Sequence, residues 1–197
     1  MSLRHTYTLR APLYDVALRQ ASRRLREQSL AQLAVPAGAP VLVTGIGTGL
    51  DVPHLPREPW YVGLDLTHAM LSRVPRADAD LAIVQGDAMR LPFRDACFDA
   101  VVLHLIVAVV ADPRRCLAEA ARVARPGARL LVLDKFLRPG ERAPVRRALN
   151  ALTRRLATRL DVVLETLVAE VGALEVESDT PALAGGWFRS VVLRKRA

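Results

Sequence analysis

Residues Val41-Leu42-Val43-Thr44-Gly45-Ile46-Gly47-Thr48-Gly49 form an apolar run that ends in three glycines at alternate positions. Val41 to Val43 are apolar without alternation, which is typical of a parallel strand covered on both faces. Because glycine has no Cβ, the three glycines can adopt positive φ and let a ligand lie against the backbone. The stretch therefore predicts a buried strand that runs into a tight, ligand-binding turn.

The spacing of these glycines separates two classes of nucleotide-binding turn. A dinucleotide fingerprint needs its third glycine at position 50, where the chain has Leu50. The spacing therefore favours a nucleoside ligand without a pyrophosphate over NAD or FAD. The next apolar run, Trp60 to Asp65, ends in an acid about 20 residues after the first glycine, where such folds place a carboxylate on a ribose diol.

Five segments in order resemble the class I S-adenosylmethionine-dependent methyltransferases. They are the glycine stretch 41–49 and the segments 64–71, 85–93, 98–102 and 123–133. Two further features resemble the bacterial phosphatidylethanolamine N-methyltransferases and their quinone-methylating relatives. These are the Gly-Thr-Gly-Leu run followed by Pro53 and Pro56, and the segment Ala108 to Pro113.

The resemblance and the alternation of strands with helices predict one α/β domain over residues 1–197. We expect a doubly wound, Rossmann-like sheet of seven strands, mostly parallel with one antiparallel strand, and helices on both faces. Residues 1–40 are assigned to an N-terminal helical lid and link, 41–136 to the cofactor-binding half, and 137–197 to substrate-side helices and closing strands.

Periodicity and capping residues give the expected elements. An amphipathic helix from Ala11 to Leu33 places Arg19, Arg23 and Arg26 on its polar side. The other predicted helices are a very short one after Asp51, one capped by Thr67 that runs to Arg73, one from Asp112-Pro113 to Pro126-Gly127, and one from Asp161 to Val171. The remaining strands are predicted at 81–85, 99–103, 128–133 and 188–193, with a further apolar stretch at 174–176.

By resemblance, the cofactor is S-adenosyl-L-methionine and no metal is expected. Asp65 would hold the ribose hydroxyls, Asp87 with Ala88 would meet the adenine edge, and Tyr14 would contact the methionine carboxylate. The residues implied in cofactor binding are Tyr14, Thr44, Gly45, Ile46, Gly47, Gly49, Asp65, Leu66, Met70, Asp87, Ala88, Met89 and His104.

Two positions bear on affinity and catalysis. The family often carries an acid at the end of the first strand, where this chain has Thr44, and Asp51 could substitute if the loop brings it back. His104 follows the fourth strand, where methyl group and acceptor should meet, so it is either the general base for an amine or a pocket residue bonded to the backbone. Asp134 at the end of the fifth strand is a further candidate.

The leading functional hypothesis is N-methylation of a phosphatidylethanolamine-type lipid. The alternatives are C- or O-methylation of a quinone or other small molecule, and a catalytically silent module that binds S-adenosylmethionine. After the fourth strand the chain reads His104-Leu105-Ile106-Val107 instead of Asn/Asp-Pro-Pro-aromatic, and neither Cys97 nor Cys116 follows a proline. Methylation of nucleic-acid bases by those two routes is therefore not expected.

The net charge of +8 comes mostly from arginine and favours anionic partners. The apolar positions Val145, Leu149, Leu152, Leu156 and Leu160 recur at helical spacing between many arginines, which fits either a helix covering the sheet or one lying on an anionic membrane. No apolar run approaches the ~20 residues of a membrane span, and Met1 to Arg10 lack a signal-peptide core. We therefore expect a cytoplasmic protein, which the membrane interpretation of this stripe would place peripherally on the inner face of the membrane.

Overall fold

The computed structural model of the protein describes residues 22–75, 80–141, 161–183 and 186–197. Tyr14, most of the predicted N-terminal helix and the arginine-flanked stripe from Val145 to Leu160 lie outside these residues. The predictions made for them therefore stay predictions.

The described residues form a seven-stranded sheet in the order β3-β2-β1-β4-β5-β7-β6. Strands β1 to β5 run parallel to one another, and β7 pairs antiparallel with both β5 and β6. The predicted fold class is therefore confirmed. The strands are β1 Pro40–Thr44, β2 Trp60–Asp65, β3 Asp80–Gln85, β4 Phe98–His104, β5 Ala124–Lys135, β6 Leu174–Leu183 and β7 Phe188–Lys195.

Helices cover both faces of this sheet. Among the described residues, α1 covers residues 22–30, α2 is His68–Leu71, α3 is Pro113–Val123 and α4 is Leu164–Val171, and a 3-10 turn covers Val52–His54. Leu117 of α3 and Leu164 of α4 pack in the same buried cluster as Leu42 of β1. Leu30 of α1 and Leu71 of α2 pack with Val41 and Val43 on the opposite face. Since successive residues of a strand face opposite sides, the unbroken apolar run of β1 serves both cores.

Two of the predicted helix ends that differ from the structure are those of α2 and α3. The helix after Thr67 was expected to reach Arg73 but ends at Leu71, and the Thr67 side chain makes no capping hydrogen bond. The helix opened by Asp112 ends at Val123 instead of Pro126-Gly127, because the chain joins β5 at once and Ala124 pairs with Phe98. Gly127, with φ 78°, then lies in the irregular start of β5, where the register with β4 shifts.

The strand order fixes where a ligand can bind. β2 lies on one side of β1 and β4 on the other, so the order reverses at β1. In open α/β sheets the crevice for ligands lies beyond the carboxyl ends of the strands at such a reversal. The loops that follow β1, β2, β3 and β4 therefore meet at one edge, as the sequence predicted. No helix among the described residues is both long and apolar enough to cross a membrane.

Candidate active site

The glycine loop follows β1 directly, and its glycines carry no side chains to cover the backbone. Gly45 and Gly47 have φ of 70° and 57°, and the amides of Gly45 and Ile46 both donate to the Leu64 carbonyl, at 2.8 and 3.0 Å. A Cβ on Gly45 would lie 2.8 to 2.9 Å from the Ile106 side chain, whereas one on Gly47 would meet nothing closer than the Gly45 carbonyl at 3.9 Å. The loop therefore packs against the β4 side at Gly45 and is open at Gly47.

Asp65, at the end of β2, holds this loop in place. Its Oδ2 accepts the Gly47 amide at 3.0 Å, and its Oδ1 accepts the Thr67 amide at 2.9 Å. An ionised carboxylate has about four acceptor positions, so each oxygen can accept one further donor. Asp65 therefore fixes the turn and still has acceptor capacity for a pair of ligand hydroxyls.

The segment after β3 is joined to the same edge. The Gly86 amide donates to the Asp65 carbonyl at 2.9 Å, and Asp87 Oδ1 accepts the Met89 amide at 2.8 Å. Asp87, Ala88 and Met89 thus form a short turn beside the end of β2. A carboxylate next to an apolar surface is suited to a flat, polar-edged ring.

These loops enclose a cavity of about 200 Å³. Ten of the thirteen residues implied in cofactor binding line it: Gly45, Ile46, Gly47, Asp65, Leu66, Met70, Asp87, Ala88, Met89 and His104. Thr44 and Gly49 do not line it, and Tyr14 lies outside the described residues. The individual contacts of the ten remain predictions.

Thr44 and Gly49 have other surroundings. Thr44 is 1% exposed, and its Oγ1 has no hydrogen-bond partner among the described residues. Gly49 has φ 82°, and a Cβ there would lie 2.7 Å from Pro75 Cδ. Packing against the segment after α2 therefore accounts for a glycine at this position, and the predicted role of Gly49 in cofactor binding stays a prediction.

His104 lies at the end of β4 with both ring nitrogens engaged. Nδ1 lies 2.7 Å from Asp51 Oδ1, and Nε2 lies 3.0 Å from the Ser29 hydroxyl of α1. Burial by itself raises the pKa of Asp51, but the neighbouring His104 and Arg26 lower it well below its ordinary value of 3.8. Asp51 is therefore ionised and accepts only, so His104 donates from Nδ1. In the neutral ring, Nε2 then accepts the Ser29 hydroxyl.

Arg26 is the cavity-lining residue that the sequence pattern misplaced. It was expected on the polar side of the N-terminal helix, yet it is only 5% exposed and lines the cavity. Its Nη1 donates to Asp51 Oδ1 at 2.7 Å, and its Nε donates to Ser22 Oγ at 3.2 Å. The loop does bring Asp51 back, as the sequence left open, but onto Arg26 and His104, and Asp51 itself does not line the cavity.

The Asp134 carboxylate binds backbone amides and has a structural role. It is fully buried, its Oδ2 accepts the Ala108 amide at 2.9 Å, and its Oδ1 accepts the Lys135 amide at 2.8 Å. Burial raises the pKa of this carboxyl. Asp134 therefore anchors the loop after β4 and does not line the cavity.

Among the described residues, no group of three or more His, Cys, Asp or Glu side chains could hold a metal ion.

Comparison with known proteins identifies the type of site. The model of the methyltransferase domain family matches residues 42–132. The chain is 32% identical over 191 residues to a phosphatidylethanolamine N-methyltransferase of Cereibacter sphaeroides, with 93% of each chain covered. It is 35% identical over 129 residues to a demethylmenaquinone methyltransferase of Renibacterium salmoninarum, which covers 63% of this chain and 54% of that protein. The chain thus spans about half the length of the second relative.

The fold is also similar to those of solved methyltransferase structures. A methyltransferase from Thermotoga maritima that depends on S-adenosylmethionine is 19% identical, with a TM-score of 0.73 and full coverage of both chains. At this identity the likeness concerns the fold alone.

The residues of the cavity fit S-adenosylmethionine. The open backbone at Gly47 accommodates a chain lying against it, Asp65 has free acceptor positions for a ribose diol, and Leu66, Met70 and Met89 offer apolar surface for a base. The fit of the cavity to this cofactor, the fold and the two relatives all indicate a methyltransferase. The chain belongs to the class I S-adenosylmethionine-dependent methyltransferases.

Proposed function

We propose that the protein transfers methyl groups to the amine of a phosphatidylethanolamine-type lipid. The observation that carries the proposal is the similarity to a phosphatidylethanolamine N-methyltransferase along 93% of both chains. A match of that extent includes the segments after β5, where acceptor specificity is expected to reside, whereas the quinone-methylating relative matches only part of its length.

The cavity supports an acceptor that brings apolar surface with it. Beyond His104, the wall is formed by the side chains after β4, all of them apolar: Leu105, Ile106, Val109, Val110 and Ala111. S-adenosylmethionine supplies an electrophilic methyl group on a sulfonium. The task of the protein is to align the acceptor with it and to keep water out, and an apolar wall serves both purposes.

In this proposal the cofactor is held by the loops after β1, β2 and β3. Gly45 lets the loop pass close to Ile106 and Gly47 leaves the backbone open to the amino-acid part. Asp65 accepts from the ribose hydroxyls, and Asp87 with Ala88 meets the adenine edge. Because Asp65 also accepts the Gly47 amide, ribose recognition and the shape of the glycine loop depend on one carboxylate.

The role of His104 follows from its hydrogen bonds. A general base needs a nitrogen that can reach the acceptor proton. Both nitrogens of His104 are committed to Asp51 and Ser29. We therefore assign His104 a positioning role at the cavity wall. The acceptor ammonium releases its proton to bulk water before it enters the site, because an apolar, water-poor site disfavours the charged form.

The test is methyl transfer to defined acceptors. Purified protein is incubated with methyl-labelled S-adenosylmethionine and either phosphatidylethanolamine vesicles or demethylmenaquinone in detergent, and the extracted products are separated by thin-layer chromatography. We expect label in mono-, di- and trimethylated phosphatidylethanolamine. Label in the quinone alone would establish the quinone alternative, and calorimetric binding of the cofactor without any product would establish the silent module.

We further propose peripheral contact with anionic membrane on the cytoplasmic side, and no nucleic-acid partner. The support is the sequence between Val145 and Leu160, whose apolar positions are bordered by arginines that each contribute about 1 kcal/mol near an anionic surface. We expect cosedimentation with phosphatidylglycerol vesicles but not with zwitterionic ones, and weaker sedimentation when Arg146, Arg147, Arg154 and Arg155 are changed together to Gln. Equal sedimentation with both vesicle types, or none with either at low salt, contradicts this proposal.

A further inference from the structure

Leu105, the first residue after β4, has a backbone conformation that is costly for a residue with a side chain. Its φ is 59°, and Ala96, with φ 49°, is the other non-glycine residue with positive φ in the described part of the chain. In this left-handed region the Cβ of an L-amino acid crowds the following carbonyl oxygen, whereas glycine avoids that cost. The turn after β4 therefore accounts for a left-handed residue at position 105 but not for a leucine.

The Leu105 side chain is not part of the hydrophobic core that its neighbours build. Leu103 is fully buried in the core cluster on one face of the sheet, and Ile106 and Val110 pack against that cluster. Leu105 is half-buried and belongs to neither buried cluster of the described residues, but it does line the cavity. Strained residues persist where the surroundings or a function require them, and here the side chain adjoins a ligand site.

The backbone of Leu105 lies on the side of β4 that faces away from the glycine loop. Its amide donates to the Leu133 carbonyl of β5 at 2.7 Å, and β5 and β1 lie on opposite sides of β4. Ile106, in contrast, has its side chain against the glycine loop, where a Cβ on Gly45 would meet it. Ile106 therefore closes the cavity beside the proposed cofactor loops, and Leu105 lies on the side towards β5 and the segments that follow it.

We infer that Leu105 contacts the methyl acceptor and that the strained turn is retained because it presents this side chain to the acceptor. The residue is a determinant of specificity, since burying a hydrated or charged group against a leucine is unfavourable whereas burying a neutral, apolar one is not. Which acceptor is contacted rests on the proposed function, but the separation of Leu105 from the cofactor and from the core does not.

Steady-state kinetics and calorimetry on the full chain separate an acceptor contact from a cofactor contact. Leu105→Ala removes three buried carbons, which corresponds to about 10- to 50-fold in binding. We expect kcat/KM for phosphatidylethanolamine in vesicles to fall by that factor, while the dissociation constant of S-adenosylmethionine changes less than twofold. Leu105→Met keeps the apolar volume and should stay within threefold of wild type. Leu105→Asn tolerates the left-handed backbone but is polar, so it should lose activity as Leu105→Ala does.

Thermal melts test the strain and the absence of a core role. Leu105→Gly should melt about 2 to 4 °C above Leu105→Ala, because only glycine relieves the backbone. Ala96→Gly is the matched control, since Ala96 is exposed and does not line the cavity. It should raise the Tm by the same amount and leave kcat/KM unchanged. Leu105→Ala should lower the Tm by less than about 3 °C, whereas Leu103→Ala, in the core, should lower it by about 5 °C or more.

Three results would overturn the inference. The first is a loss of S-adenosylmethionine affinity in Leu105→Ala as large as the loss in kcat/KM, which would make Leu105 a cofactor residue. The second is a drop in Tm equal to that of Leu103→Ala, which would make it a core residue. The third is full activity of Leu105→Asn, which would rule out an apolar contact. If wild-type protein methylates demethylmenaquinone instead, the proposed function fails and the same kinetics are run with that acceptor; if it methylates neither, the titration and the melts decide the inference.

Discussion

Replacing Asp51 with Asn tests the buried network directly. Asp51 is 2% exposed and accepts from both Arg26 and His104 at 2.7 Å. Removing one partner of a buried ion pair leaves the other charge uncompensated, which costs about 3 to 5 kcal/mol. With a urea dependence of about 2 kcal/mol per M, the unfolding midpoint should fall by roughly 2 M. Urea titration followed by circular dichroism at pH 7 measures this shift.

The chain offers a control that differs in burial and not in distance. Asp95 pairs with Arg122 at the same 2.7 Å, but its side chain is 78% exposed. Exposed pairs contribute about 0.2 to 1 kcal/mol, so Asp95→Asn should shift the midpoint by less than 0.5 M. Equal shifts for the two variants would refute the argument that burial makes the Asp51 pair important.

The loss of stability caused by Asp51→Asn should depend on pH. The folded-state pKa of Asp51 lies below its ordinary value of 3.8, so the ionised carboxylate binds its proton less readily in the folded chain than in the unfolded one. Its contribution to stability is therefore present above about pH 4 and is lost as the pH falls further. The stability gap between wild type and Asp51→Asn should be constant from pH 7 to pH 5 and narrow below pH 4. A gap that widens in acid would contradict this sign.

Three further substitutions have expected outcomes. Gly45→Ala should cost about 2 kcal/mol more in unfolding free energy than Gly38→Ala, because both have positive φ but only Gly45 would bring its Cβ within 3 Å of Ile106, which paired thermal melts can test. Asp65→Ala should weaken S-adenosylmethionine by about 1.5 to 3 kcal/mol, and an unchanged calorimetric dissociation constant would remove Asp65 from the site. Arg189→Met should cost about 3 kcal/mol or more, since this buried guanidinium bonds two carboxylates and a carbonyl, while kcat per folded molecule should stay unchanged.

The parts of the site that could be predicted from sequence are those set by local patterns. Gly45 and Gly47 follow an apolar strand directly, and Asp65 ends the next strand, so strand order alone brings them together. The third glycine shows the limit of the pattern. Gly49 fits the motif in spacing, but its φ of 82° and its contact with Pro75 show that packing alone accounts for a glycine there.

The network of Arg26, Asp51 and His104 could not be predicted because its contacts join distant positions. Arg26 shares helical spacing with Arg19 and Arg23, and periodicity therefore placed it on the polar side. Its partner Asp51 lies 25 positions further along the chain, and Ser29 and His104 are 75 apart. The one available signal was that Thr44 stands where the family often has an acid. It indicated Asp51 as a substitute acid but did not predict that Asp51 would pair with Arg26 and His104.

The hydrogen bonds of His104 connect this network to the chemistry. If His104 acted as a base, it would have to release the Ser29 hydroxyl from Nε2, because Nδ1 already donates to an ionised carboxylate. The free energy of that bond, about 1 kcal/mol, would then oppose every proton transfer. Leu105, Ile106 and Val109 offer the acceptor a route without this cost, since an amine that enters an apolar wall favours its neutral form before it reaches the methyl group. In the proposed methylation of an amine, the polar network therefore holds α1 and β4 in position, and the apolar wall favours the neutral nucleophile.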